Sequence, residues 1–95
     1  MHQDQLAWFR DCVRQRKLRV TMHAAEEMIS DDLLHADLEE AILTGSIIER
    51  QKDEVSGEWK FLVHGYSLDE DDIIVVIKRG VSNDSVVITV YRDHD

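Results

Sequence analysis

Apolar and polar positions change their period once along this chain. In the first part, Leu6, Phe9, Cys12 and Val13 recur at helical spacing. They predict an amphipathic helix over residues 4–16, with Asp4 as its N-cap and Arg14, Arg16 and Lys17 at the C-terminal end, where cations suit the helix dipole. A short extended piece, Leu18 to Val20, leads to Thr21, which is placed to cap a second helix through about Ser30. Met22, Ala25, Met28 and Ile29 form its apolar side, and Asp31-Asp32 ends it. Asp37 and Glu40 stand at capping-box spacing, Leu38, Ala41 and Ile42 make a stripe, and Gly45 sits where a helix stops, so a third helix is predicted over 36–44.

After Gly45 the pattern becomes that of strands: Ser46 to Gln51, Glu58 to Tyr66, Ile73 to Lys78 and Ser85 to Arg92. Turn-like Ser56-Gly57, the acidic run Asp69 to Asp72, and Gly80 to Asp84 separate them. Three helices followed by four strands predict an α+β domain, and short connections favour an antiparallel sheet that meanders in chain order. The last two strands lack clean alternation, Ile73 to Ile77 and Val86 to Tyr91 being apolar at almost every position. Both of their faces need cover, from a strongly curved sheet, from a partner, or from the chain's own helices.

Composition narrows the function classes. Ninety-five residues make one domain, expected over 1–95, and 43% apolar with 33% charged residues is a globular mixture. Ile73 to Ile77 is too short to span a membrane. The opening residues lack a basic segment followed by an apolar stretch, so a cytoplasmic location without membrane contact is expected. A single cysteine, Cys12, excludes an internal disulfide and a cysteine-cluster zinc site. The net charge of −9 is uneven: residues 1–20 carry five basic groups against two acidic ones, and residues 21–95 carry six against eighteen. An acidic body weakens non-specific attraction to nucleic acid and makes a basic protein partner easier to accommodate. The plain alternative is that the charge only keeps a small domain soluble.

Few residues form a pattern with chemistry in it. His23 and Glu27 are one helical turn apart, so a carboxylate can fix the tautomer of an imidazole that acts as a general base. The same spacing occurs in ordinary surface pairs. A metal would need a further ligand, and His2, His35, His64 and His94 are scattered without a second motif, so no metal or other cofactor is expected. The acidic run lacks the spacing of a calcium loop and reads as a solvated turn that discourages edge pairing. Tyr91 and Thr89 share a strand face. The tyrosine hydroxyl there either meets a substrate or satisfies a buried carbonyl. Arg92 and Lys78-Arg79 fall at opposite ends of two antiparallel strands, which argues against one phosphate clamp. No phosphate-binding glycine loop or nucleophile elbow is present.

The run Met22-His23-Ala24-Ala25-Glu26-Glu27-Met28, then Asp31, Leu38, Ala41-Ile42 and Gly45-Ser46-Ile47-Ile48-Glu49, resembles the bacterial domain family of unknown function 4258. The ending Val87-Ile88-Thr89-Val90-Tyr91-Arg92 is similar to that family's hydrophobic-Ile-Thr-x-Tyr-Arg signature. The likeness covers residues 18–93 and leaves 1–17 as an added N-terminal helix. It implies a small fold like the RelE/ParE toxins, whose broad class cleaves RNA on or off the ribosome without a metal and is paired with a cognate antitoxin. On that resemblance His23, Glu27, Tyr91 and Arg92 become candidate catalytic residues. Thr89, with Arg14, Arg16 and Lys17 of the basic first helix, becomes the candidate substrate-binding set. Three positions depart from the family: Ile74 replaces a histidine opening the third strand, Gln51 a tyrosine, and Asp93 a proline. The competing expectation is a non-catalytic interaction module, or a homodimer, that uses an apolar sheet face.

Overall fold

The computed structural model describes residues 3–93. Three helices, α1 (Gln3–Arg14), α2 (Met22–Ser30) and α3 (His35–Thr44), precede most of the sheet, whose strands are β1 (Leu18–Val20), β2 (Ser46–Lys52), β3 (Trp59–Tyr66), β4 (Asp72–Arg79) and β5 (Ser85–Arg92). The fold is α+β, as expected. Among the described residues no helix is long and apolar enough to cross a membrane.

The sheet corrects one expectation. β2 to β5 form the antiparallel meander in chain order, but the sheet has five strands, because β1 pairs in parallel along the outer edge of β5. Three residues carry too little alternation to announce a strand, and a parallel partner 67 positions away (Leu18 opposite Ser85) leaves no local turn signal. The sheet is therefore mixed.

Two helix ends also differ from the simple reading. α1 stops at Arg14, and Arg16 adopts a left-handed φ of 60° while Lys17 N–H reaches back to the Cys12 carbonyl. Asp32 closes α2 in the same way with φ 57°, the Leu33 N–H bonding to Met28 O at 2.8 Å. Both endings place a non-glycine residue at the left-handed position of a Schellman motif. α3 begins after Leu34, so Asp37 is not its N-cap. The Asp37 carboxylate accepts the Leu34 N–H at 2.9 Å and the Leu68 N–H at 3.0 Å, tying the start of the helix to the turn after β3.

One face of the sheet packs on α1 and α3 through Phe61, Val63, Ile73, Val75, Ile77, Val87 and Val90, with Phe9, Leu38 and Ile42 from the helices. α3 lies directly on β3 at Gly65, where a Cβ would overlap the Ala41 carbonyl. Arg10 of α1 donates to the Gly45 carbonyl at 2.8 Å and so holds the C-terminal end of α3.

The other face has Lys60, Leu62, His64 and Tyr66 from β3, Asp72, Ile74, Val76 and Lys78 from β4, and Val86, Thr89 and Tyr91 from β5. Among the described residues no helix lies across it. Ile74 and Val86 are nevertheless buried, at 4% and 5% exposure. A hollow of about 590 Å³ at one end is lined by Arg19 of β1, Ile88 of β5, Lys78 of β4, Trp59 of β3 and Asp53 of the β2–β3 turn, so this face curls into a trough.

Candidate functional site

α2 is held against β5 by side chains that act as a missing strand. Beyond β1, the Thr21 N–H donates to Val87 O at 3.1 Å and its hydroxyl to Ile88 O at 3.3 Å, while the same hydroxyl accepts the Ala24 N–H and caps α2. Ile88 is the extra residue of a β-bulge, since Val76 pairs with Thr89 and Ile77 with Val87. The bulge shifts the phase of the edge, so that the N–H groups of Val90 and Arg92 point outward at α2. Glu27 Oε1 accepts the first at 3.2 Å and Asp31 Oδ2 the second at 3.1 Å. Carboxylates one helical turn apart meet amides two strand residues apart, because about 6 Å separates both pairs.

His23 stands one turn before Glu27, with Nε2 at 3.4 Å from the same Oε1 that takes the Val90 amide. Its side chain is 68% exposed. His23, Glu26, Glu27, Ser30, Asp31 and Tyr91 line one shallow hollow of about 380 Å³. Three expected site residues, His23, Glu27 and Tyr91, therefore converge from the second helix and the last strand.

The other expected residues do not join them. Arg92 is turned away: its Nε donates to the Asp31 carbonyl at 3.0 Å and its Nη1 to the Asp71 carboxylate, so it braces α2 against the turn before β4. Thr89 lies on the trough face opposite Val76, one cross-strand row from Tyr91. Arg14 and Arg16 line a separate hollow with His35 and Glu39. Lys17 is exposed at the junction of α1 and β1, where its carbonyl accepts the Ser85 N–H at 2.9 Å. The acidic run is more than a solvated turn, since Asp71 holds Arg92 and Asp72 holds a histidine. Lys78 and Val86 pair near one end of the β4–β5 ladder and Ile73 and Arg92 at the other, so the strand-end cations are separated as expected.

Two further imidazole–carboxylate pairs went unnoticed in the sequence: His35 with Glu39, again one helical turn apart with Nε2 at 3.8 Å from Oε2, and a cross-strand pair. His64 Nε2 lies 2.7 Å from Asp72 Oδ1, and the imidazole meets Tyr66 edge to face at 5.5 Å between ring centres. The signal was available: alternation in β3 puts Lys60, Leu62, His64 and Tyr66 on one face, and a tight hairpin brings Asp72 opposite Tyr66. His64 is also the cross-strand neighbour of Ile74, the position at which the family resemblance expects a histidine. Of the histidines weighed as metal ligands, His2 and His94 lie outside the described residues. Among those described, no three histidine, cysteine or carboxylate side chains gather into a metal-binding group.

A protein-family model described as Domain of unknown function (DUF4258) matches residues 20–92, which takes in α2, α3, β2 to β5 and the His23–Glu27 and His64–Asp72 pairs. No curated protein matches the chain. No solved structure matches it either.

Proposed function

The chain belongs to the DUF4258 family, and from that premise we propose that it is a toxin-like endoribonuclease of the RelE/ParE type, acting by side-chain acid–base chemistry. The observation that carries this reading is the hollow between α2 and β5, where His23, Glu27 and Tyr91 meet. Glu27, itself anchored on the Val90 amide, stands 3.4 Å from Nε2 of His23, so that its charge favours a proton on that nitrogen and a free lone pair on Nδ1 as the base. In the proposed reaction Nδ1 takes the proton of a ribose 2′-hydroxyl. The 2′ oxygen then forms a bond to phosphorus, the bond from phosphorus to the 5′ oxygen breaks, and a 2′,3′-cyclic phosphate remains. Tyr91 hydrogen-bonds a phosphate oxygen.

The acidic body disfavours tight binding of free RNA, so orientation on a ribosome fits this chain better than affinity of its own. A cognate antitoxin would silence it by covering the hollow. The test is induced expression of wild type and His23→Ala, with growth and mRNA integrity followed together. Wild type is expected to arrest growth and cut mRNA, and the variant to do neither while staying folded, because the His23 side chain is 68% exposed. Intact mRNA, both free and on ribosomes, with undisturbed growth overturns the reading.

A second reading, a non-catalytic module that pairs with a partner or a second copy, draws on β2. It is the last strand of the sheet, and Ile48 on it is exposed. Strict monomers in light scattering, with no partner strand on β2, remove its basis.

A further inference from the structure

The transphosphorylation proposed above needs two protons moved, one taken from the 2′-hydroxyl and one given to the departing 5′ oxygen. His23 supplies only the first. The hollow at α2 holds Glu26, Glu27 and Asp31 as its other titratable groups besides Tyr91, and two of these carboxylates are already accepting backbone amides. None of them is arranged as a donor.

The trough face holds a better one. His64, Ile74 and Tyr91 form one cross-strand row on β3, β4 and β5. Two strand spacings separate the Cα atoms of His64 and Tyr91, about 10 Å in all. Tyr91 belongs both to this row and to the His23 hollow, so the two imidazoles flank it from opposite sides. Between them in the row lies Ile74, a buried apolar side chain. Asp72 fixes the His64 ring through Nε2, and Tyr66 packs against the ring, while Nδ1 has no hydrogen-bond partner among the described residues.

We propose that His64, oriented by Asp72, is the general acid of this site, and that the RNA strand lies on the trough face with its scissile phosphate over Tyr91. This rests on the ribonuclease reading. The doubly protonated ring of His64 gives its proton to the 5′ oxygen as the bond from phosphorus to that oxygen breaks, while His23 receives the proton of the 2′-hydroxyl. Charge and protons balance, and each histidine ends in the state from which the other began. Asp72 is a positioning residue, since its side chain hydrogen-bonds the imidazole alone among the described residues.

The discriminating experiment compares ordinary RNA with the same RNA carrying a bridging sulfur in place of the departing 5′ oxygen, cleaved by the full chain with ribosomes present. A thiolate leaves without a proton. His64→Ala is expected to slow cleavage of ordinary RNA by about 10²-fold or more and to cleave the sulfur-substituted RNA at close to the wild-type rate. His23→Ala should be slow on both, because the 2′-hydroxyl still needs a base. Asp72→Asn should lower kcat on ordinary RNA with little change in KM and be rescued by sulfur in the same way. Equal loss on both substrates for His64→Ala, or no loss on either, overturns the assignment. If wild type cleaves neither RNA, the ribonuclease reading itself falls and takes the role of His64 with it.

Discussion

His23 and His64 each face a carboxylate, but their scaffolds have opposite properties. His23 projects from a helix, is 68% exposed, and stands 3.4 Å from Glu27. His64 is embedded in a sheet, its side chain is 29% exposed, and its contact with Asp72 is 2.7 Å. Sequence proximity announces the first pair and hides the second. The carboxylates differ in the reverse sense: Glu27 also satisfies a strand amide at the sheet edge, whereas the Asp72 side chain hydrogen-bonds His64 alone among the described residues. A loosely held imidazole is thus backed by a carboxylate that also serves the fold, and a tightly held one by a carboxylate that engages the imidazole.

Removing the two carboxylates in turn separates these roles. Glu27→Ala leaves the part-buried Val90 N–H unpaired and is expected to cost about 1–3 kcal/mol. Glu27→Gln keeps an acceptor for that amide and should restore most of the loss. Asp72→Ala breaks a solvent-exposed pair and should cost no more than about 1 kcal/mol. Denaturant midpoints of the three variants check the order. If Asp72→Ala proves the most damaging, the assignment of structural and positioning roles is reversed.

A smaller effect sharpens the same contrast from a carboxylate remote from both imidazoles. Asp53 shapes the β2–β3 turn by accepting the Ser56 and Val55 N–H groups, and these hold its carboxyl below the usual range. A folded-state value below the unfolded one means that this contribution is complete above the unfolded value. It disappears as pH falls through the folded one. The Tm gap between wild type and Asp53→Asn should therefore exist at neutral pH and close in strong acid. A gap that persists unchanged in acid would mean that the carboxylate charge plays no part in the turn.

Much of this architecture is legible in residue order. Thr21 caps α2 as its position predicts, and the four long strands fall within a residue or two of the expected bounds. What escaped reading is non-local. β1 is defined by a parallel partner far along the chain. The start of α3 was misplaced because Asp37 reaches back to Leu34 and across to Leu68 from inside the helix. The family resemblance makes Arg92 a candidate site residue, yet the carbonyl and carboxylate that engage it come from two other parts of the chain. The His64–Asp72 pair has no helical spacing, and only the β3–β4 register brings its members together. Motif spacing finds pairs that a helix makes. A sheet makes them through its register.

The most direct test of the two-imidazole site is a double-mutant cycle on RNA cleavage by wild type, His23→Ala, His64→Ala and the double variant. Groups that act on one phosphate in one step lose their separate contributions together. The double variant is therefore predicted to be no slower than the slower single variant. Losses that multiply, or a single variant that cleaves at the wild-type rate, contradict a shared phosphate between α2 and the trough.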